Sequence, residues 1–278
     1  MNILNILDEI EKVDGEVYER LNPRRKAMKD FFNFGSKVAA ASLPFAIGSM
    51  FKTAYGQTTA SVEQVFQYAL TLEYLEAEFY AKGIAAAGLI PAGASLAAIT
   101  IVRDHENLHV AFLRTALQSL GKTPVAKPTF DFSAGKGSGR GPFATVFTNY
   151  DIFLAVAQVF EDTGVRAYKG QAPNLLRQGA LLTAALNIHS VEGRHAAKIR
   201  QMRKERGANV KPWITGKDNA IGLAVVQPSY DGEELDTQAG VKITGINGQA
   251  ISFNAATESF DEPLTMGQVL GIVDPFIV

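Results

Sequence analysis

The chain of 278 residues contains no cysteine, a single tryptophan and only four histidines. Without cysteine there is no disulfide, no thiolate nucleophile, no iron–sulfur cluster and no Cys-ligated zinc. Any metal must be held by histidine and carboxylate. No excess of charge exists either: 27 Lys and Arg face 28 Asp and Glu, for a net charge of −1. That balance lacks the basic face a nucleic-acid partner requires. No apolar run is long enough to cross a bilayer, which takes about 20 residues. The longest candidate, Val38–Phe51, carries Pro44 and Gly48. What remains is a chain that is 47% hydrophobic and 20% charged, long enough for a large core and one or two domains.

Residues 1–56 differ in character from the rest. A helical, acidic opening from Leu4 to Arg20 leads to Asn22-Pro23-Arg24-Arg25-Lys26-Ala27-Met28-Lys29, then to the apolar run between Lys37 and Lys52. The run has the length of an export-signal core, and Arg24-Arg25 with Lys29 resembles a twin-arginine signal. Ala54-Tyr55-Gly56 offers small residues for cleavage. The expectation is export to the periplasm or envelope. If the segment is instead a retained helical arm, the protein is cytoplasmic.

The body, residues 57–206, is patterned as four helices. Apolar residues recur every three or four positions from Ser61 to Ala87 (Val65, Tyr68, Ala69, Leu72, Leu75, Phe79), with Ser61 as N-cap and Gly88 and Pro91 beyond the end. Further helices are expected over Ala94–Leu120, Phe143–Lys169 and Asn174–Arg206. Short turns join the first to the second and the third to the fourth, making two antiparallel hairpins. Between the hairpins, Gly121–Pro142 is rich in Gly, Pro and Lys and reads as a flexible crossover. It lacks the order of a phosphate-binding loop. After Gly207, residues 207–278 form an extension. There, Val241–Phe253 suggests a β-hairpin turning at Asn247-Gly248, and Phe260–Val278 a short helix with an apolar tail.

All four histidines, His105, His109, His189 and His195, lie on the second and fourth helices. Two complete a Glu-x-x-His motif, Glu106 with His109 and Glu192 with His195, and the pattern occurs nowhere else. Residues i and i+3 of a helix are about 60° apart, so each pair projects from one face. The first helix of each hairpin repeats a second pattern, Glu73 with Tyr80 and Glu161 with Tyr168, two turns apart. The matched spacing is that of an internal repeat around a twofold site of four carboxylates and two imidazoles. Burying four carboxylates among apolar helix faces costs several kcal/mol each unless charge compensates. Two divalent cations supply that charge, and oxygen and nitrogen ligands suit iron or manganese. His105 points about 100° off the ligand face, as a supporting or surface residue. His189 lies near that face, where it can hydrogen-bond a ligand or add to the set.

This arrangement resembles the dimetal carboxylate proteins of the ferritin-like superfamily: Glu, Glu-x-x-His, Glu and Glu-x-x-His on four successive helices. More narrowly, Leu72–Tyr80, Glu161–Gly170 and Ser259-Phe260-Asp261-Glu262-Pro263-Leu264 are similar to the ferritin-like domain of desiccation-related proteins. The resemblance implies a mainly α, ferritin-like four-helix bundle with a long crossover. It maps Glu73, Glu106, His109, Glu161, Glu192 and His195 onto metal ligands, with Glu106 and Glu192 bridging. Tyr80 and Tyr168 map onto phenols that hydrogen-bond ligand carboxylates of the opposite hairpin, and Glu76 is an alternative ligand. The sequence departs from some relatives at His105 and Val191, where an Asp precedes the motif Glu. The implied activity is redox chemistry on peroxide or dioxygen in oxidative or drying stress, of manganese-catalase, ferroxidase or oxygenase type. The alternatives are a non-catalytic stress scaffold and, less suited to the extension, an iron store. A homo-oligomer is compatible with each.

Overall fold

The computed structural model describes residues 60–278. The twin-arginine-like segment and the small-residue site at Ala54-Tyr55-Gly56 lie outside them.

Four long helices dominate: α1 (Val62–Ala85), α2 (Ala94–Ser119), α3 (Tyr150–Gln171) and α4 (Ala180–Glu205). Helix α1 begins at a reciprocal cap, in which Ser61 Oγ accepts from the Gln64 amide and Gln64 Oε1 accepts from that of Ser61. The hairpins α1–α2 and α3–α4 pack together, α1 against α3 and α2 against α4. The residues at three- and four-residue spacing on α1, from Val65 to Phe79, are all buried. Among the described residues, no helix is long and apolar enough to cross a membrane.

Two helices start later than their periodicity predicts. Helix α3 begins at Tyr150 because Asn149 caps it, accepting from the Asp151 and Ile152 amides. Phe143 and Val146 are instead buried within the preceding turns. The segment before α4 is a short 3-10 turn over Ala172–Leu175, and the chain re-enters a helix only after Gly179.

The crossover is ordered by a hydrogen-bond hub, contrary to the expected flexible linker. Asp131 accepts from the backbone amides of Ser133, Gly137 and Gly139 at 2.9–3.0 Å and from the Ser133 hydroxyl at 2.6 Å. Phe130, Phe132 and Phe143 anchor it in the core. The C-terminus runs alongside: Asp131 N donates to Phe276 O, and Val278 N to Thr129 O.

The extension is clamped to α3, whose residues are buried nearly all round. Arg166 donates from α3 to the carbonyls of Glu262, Ser229 and Asp231 and pairs with Glu233 at 2.7 Å. Gly170 does not end the helix. A Cβ there would lie 1.9 Å from Leu264 O, so glycine is what lets the extension lie directly on α3.

The expected hairpin at Asn247-Gly248 is displaced. Strands β1 (Thr237–Gln238) and β2 (Val241–Lys242) pair antiparallel about Ala239-Gly240, both of positive φ. Asn247 and Gly248 also take positive φ, but they close a 3-10 turn over Ile243–Gly248. Asn-Gly specifies a tight turn locally, whereas strand pairing needs a partner segment. Two short helices, α5 (Phe253–Thr257) and α6 (Met266–Val273), complete the chain, α6 burying Val269 and Val273.

Candidate metal centre

Each helix contributes to one buried cluster halfway along the bundle. Glu73 comes from α1, Glu106 and His109 from α2, Glu161 from α3, and Glu192 and His195 from α4. All four glutamates have zero exposure and both histidines are buried. One atom each of Glu73, Glu106, His109 and Glu192 lies within 4.8 Å of the others. The same holds for Glu106, Glu161, Glu192 and His195. Glu106 and Glu192 belong to both groups.

Both histidines turn Nδ1 inward. His109 Nδ1 is 3.1 Å from Glu73, 3.0 Å from Glu106 and 3.3 Å from Glu192. His195 Nδ1 is 2.8 Å from Glu106 and 3.3 Å from Glu161. Yet His195 Nδ1, Glu106 Oε1, Glu161 Oε2 and both Glu192 oxygens have no hydrogen bond of acceptable geometry. Close approach of buried, unpaired nitrogen and oxygen atoms from four of the six residues is the pattern of a coordination site rather than of a complete hydrogen-bond network.

The electrostatics agree. Burial pushes the Glu73 carboxyl up to about 8. Burial and then neighbouring carboxylates push Glu192 and Glu76 up as well. Burial also acts on Glu106, but the imidazoles of His109 and His195 outweigh it and hold that carboxyl at about 2. Burial opposes a charge on His195, but Glu161 and then Glu106 drive it up to about 11. His109 is raised too, by Glu106, Glu192 and Glu73 against burial. These shifts mark a cluster short of positive charge, which bound cations would supply. Two divalent ions would carry the charge that balances four glutamates, and these buried Glu and His groups could hold them.

Supporting contacts cross between the hairpins. Tyr80 on α1 donates to Glu161 on α3 at 2.5 Å, and Tyr168 on α3 donates to Glu73 on α1. His105 Nδ1 lies 2.9 Å from the outer nitrogen of His195, with the rings stacked. Its repeat counterpart is Val191, so His109 has no matching imidazole. His189 joins neither group; burial lowers its pKa and the Val165 backbone faces it. Glu76 is buried but also belongs to neither group.

Two features escape a search for ligand motifs. Gly164 lies three residues after Glu161, as Glu76 follows Glu73. A Cβ there would sit 3.3 Å from Glu192 and 3.4 Å from Glu76, so glycine makes room for the extra acid. The signal was present in the repeat, as a mismatch at matched positions. Asp162, beside Glu161, receives Arg200 Nε at 2.9 Å, its terminal nitrogen at 2.6 Å and the Tyr230 hydroxyl at 2.8 Å. That network locks α3, α4 and the extension behind the cluster.

A family model described as a ferritin-like domain matches residues 61–205. The chain belongs to this family. Comparison with curated proteins and with solved structures gives no match. The family match spans the four helices of this ferritin-like protein and every residue of the cluster, while the extension lies beyond it.

Proposed function

We propose that this ferritin-like protein holds two divalent ions, iron or manganese, and uses them in redox chemistry on peroxide or dioxygen. The observation that carries the reading is the sharing of Glu106 and Glu192 between two overlapping ligand groups. Shared carboxylates hold two cations close enough to act on one small molecule. The ions supply a reversible change of oxidation state. The chain supplies the rest: six donors fix the geometry, Tyr80 and Tyr168 orient the outer carboxylates, and His105 holds the His195 ring. The Arg24-Arg25 segment supports export, and with it a role in protecting the cell envelope against oxidative or drying stress. The likeness of Leu72–Tyr80 to desiccation-related proteins supports the same role.

The test is metal analysis of the full chain purified with its native metal, joined to assays of peroxide disproportionation and of iron(II) oxidation under air. The expected content is about two iron or manganese ions per chain, with turnover in one assay. Failure to take up either metal on reconstitution, with all six residues intact, overturns the reading.

A further inference from the structure

We infer that the two ion positions of the centre are unequal. The one on the second hairpin, at Glu161 and His195, takes up its ion first and holds it more tightly than the one on the first hairpin, at Glu73 and His109. The inference rests on the dimetal reading and adds to it the order in which the shared centre fills.

The first observation is which atoms already have partners. In the group of Glu106, Glu161, Glu192 and His195, every residue offers a buried atom without a hydrogen bond: Glu106 Oε1, Glu161 Oε2, both Glu192 oxygens and His195 Nδ1. Glu73 and His109 differ. One Glu73 oxygen accepts from Tyr168 and the other meets His109 Nδ1 at 3.1 Å, while the same Nδ1 lies 3.0 Å from Glu106 Oε2. An ion at Glu73 and His109 has to displace those two imidazole–carboxylate contacts, which are of the stronger, charge-assisted kind. An ion at Glu161 and His195 displaces no bond between ligands and gives costly unpaired atoms a partner.

The internal repeat points to the cause. Tyr80 and Tyr168 treat Glu161 and Glu73 alike, so the phenols do not make the difference. His105 does. Its Nδ1 lies 2.9 Å from His195 Nε2, with the rings stacked at 5.2 Å between centroids. The counterpart of His105 is Val191, which cannot bond a ring nitrogen, so nothing of this kind keeps His109 from turning Nδ1 onto Glu73 and Glu106. A neutral His195 that donates its outer N–H to His105 presents a lone pair at Nδ1, the form that a cation binds. The second mismatch falls on the same side. Glu76 stands where the other half has Gly164, and Glu76 Oε1 and Glu192 Oε2 lie 3.4 and 3.3 Å from where a Cβ on Gly164 would be. Burial, then Glu192 and Glu161, raise the Glu76 pKa ahead of Glu106 and Glu73, which sets this extra carboxyl toward the second-hairpin position.

The test is a titration of chelator-stripped full chain with manganese(II) alone. Calorimetry gives the affinities, and electron paramagnetic resonance separates isolated ions from coupled pairs. Two steps are expected, the first at least about tenfold tighter, with isolated ions at one equivalent and pairs only beyond it. Glu73→Gln should keep the tight step, whereas Glu161→Gln should keep only the weak one. His105→Val, which copies the other half of the repeat, should weaken the tight step about tenfold and leave the weak one in place. Circular dichroism confirms that each variant is folded. Two equal steps, pairs from the first addition, a tight step that survives Glu161→Gln but not Glu73→Gln, or one unchanged in His105→Val overturns the inference while the dimetal reading stands. No uptake of manganese by the unaltered chain overturns both.

Discussion

The Tyr80 hydroxyl on α1 donates to Glu161 on α3, 2.5 Å away across the bundle axis. Tyr168 returns the arrangement by donating to Glu73, so each hairpin steadies a carboxylate of the other. Partners of this kind orient ligands, and their loss costs about 10- to 100-fold in metal affinity. Tyr80→Phe and Tyr168→Phe should each weaken metal retention by that order, measured by competition with a chelator. Retention at the unaltered level in both variants would show the phenols to be structural only.

Glu106 and Glu192 stand in both ligand groups, whereas Glu73 and Glu161 stand in one each. Glu106→Gln or Glu192→Gln should therefore reduce metal content from about two ions per chain to below one. Glu73→Gln or Glu161→Gln should leave about one. Elemental analysis of the four variants, each checked for folding by circular dichroism, distinguishes the two patterns. An identical loss in all four contradicts the bridging assignment.

The metal-free protein should lose stability as pH rises from about 5 to about 8. Glu73 is raised from its ordinary value of 4.5 to about 8, so in that interval the folded state binds more protons than the unfolded chain. Its contribution is full below the unfolded pKa and lost as pH climbs through the folded one. His195, raised from 6.5 to about 11, acts in the same sense over a higher interval. Glu106, lowered to about 2, acts oppositely, but only on acidification below 4.5. Metal uptake displaces these protons and strengthens with pH. Melting temperatures of metal-free and metal-loaded protein should diverge between pH 5 and pH 8; parallel curves would refute this.

Arg200 and Asp162 form a buried, two-point ion pair that Tyr230 completes from the extension. Removing one partner leaves a charge without compensation, which costs about 3–5 kcal/mol. Arg200→Ala should lower unfolding free energy by that amount in urea titrations at constant metal content. A loss within about 0.5 kcal/mol would mean that the site relaxes or admits water.

The carboxylates, imidazoles and tyrosines of the centre were legible in the sequence because helical period is local. Spacings of three and seven place Glu106 with His109, and Glu73 with Tyr80, on single faces whatever surrounds them. The matched second set at Glu161, Tyr168, Glu192 and His195 then told that the faces meet. The fold class and the four helices followed from the same periodicity. Only the tertiary structure decided the rest, because each of those features depends on a partner distant in sequence. His105 reaches His195 and His189 does not reach the cluster, which angles on a single helix do not separate. The glycine-rich crossover is ordered because Asp131 gathers its amides and the C-terminus lies beside it. Gly170 is spent on close contact with Leu264, a residue of the extension. The scarcity of histidine and absence of cysteine limited the chemistry to hard donors, but the long-range packing of α1 to α4 decided which atoms meet.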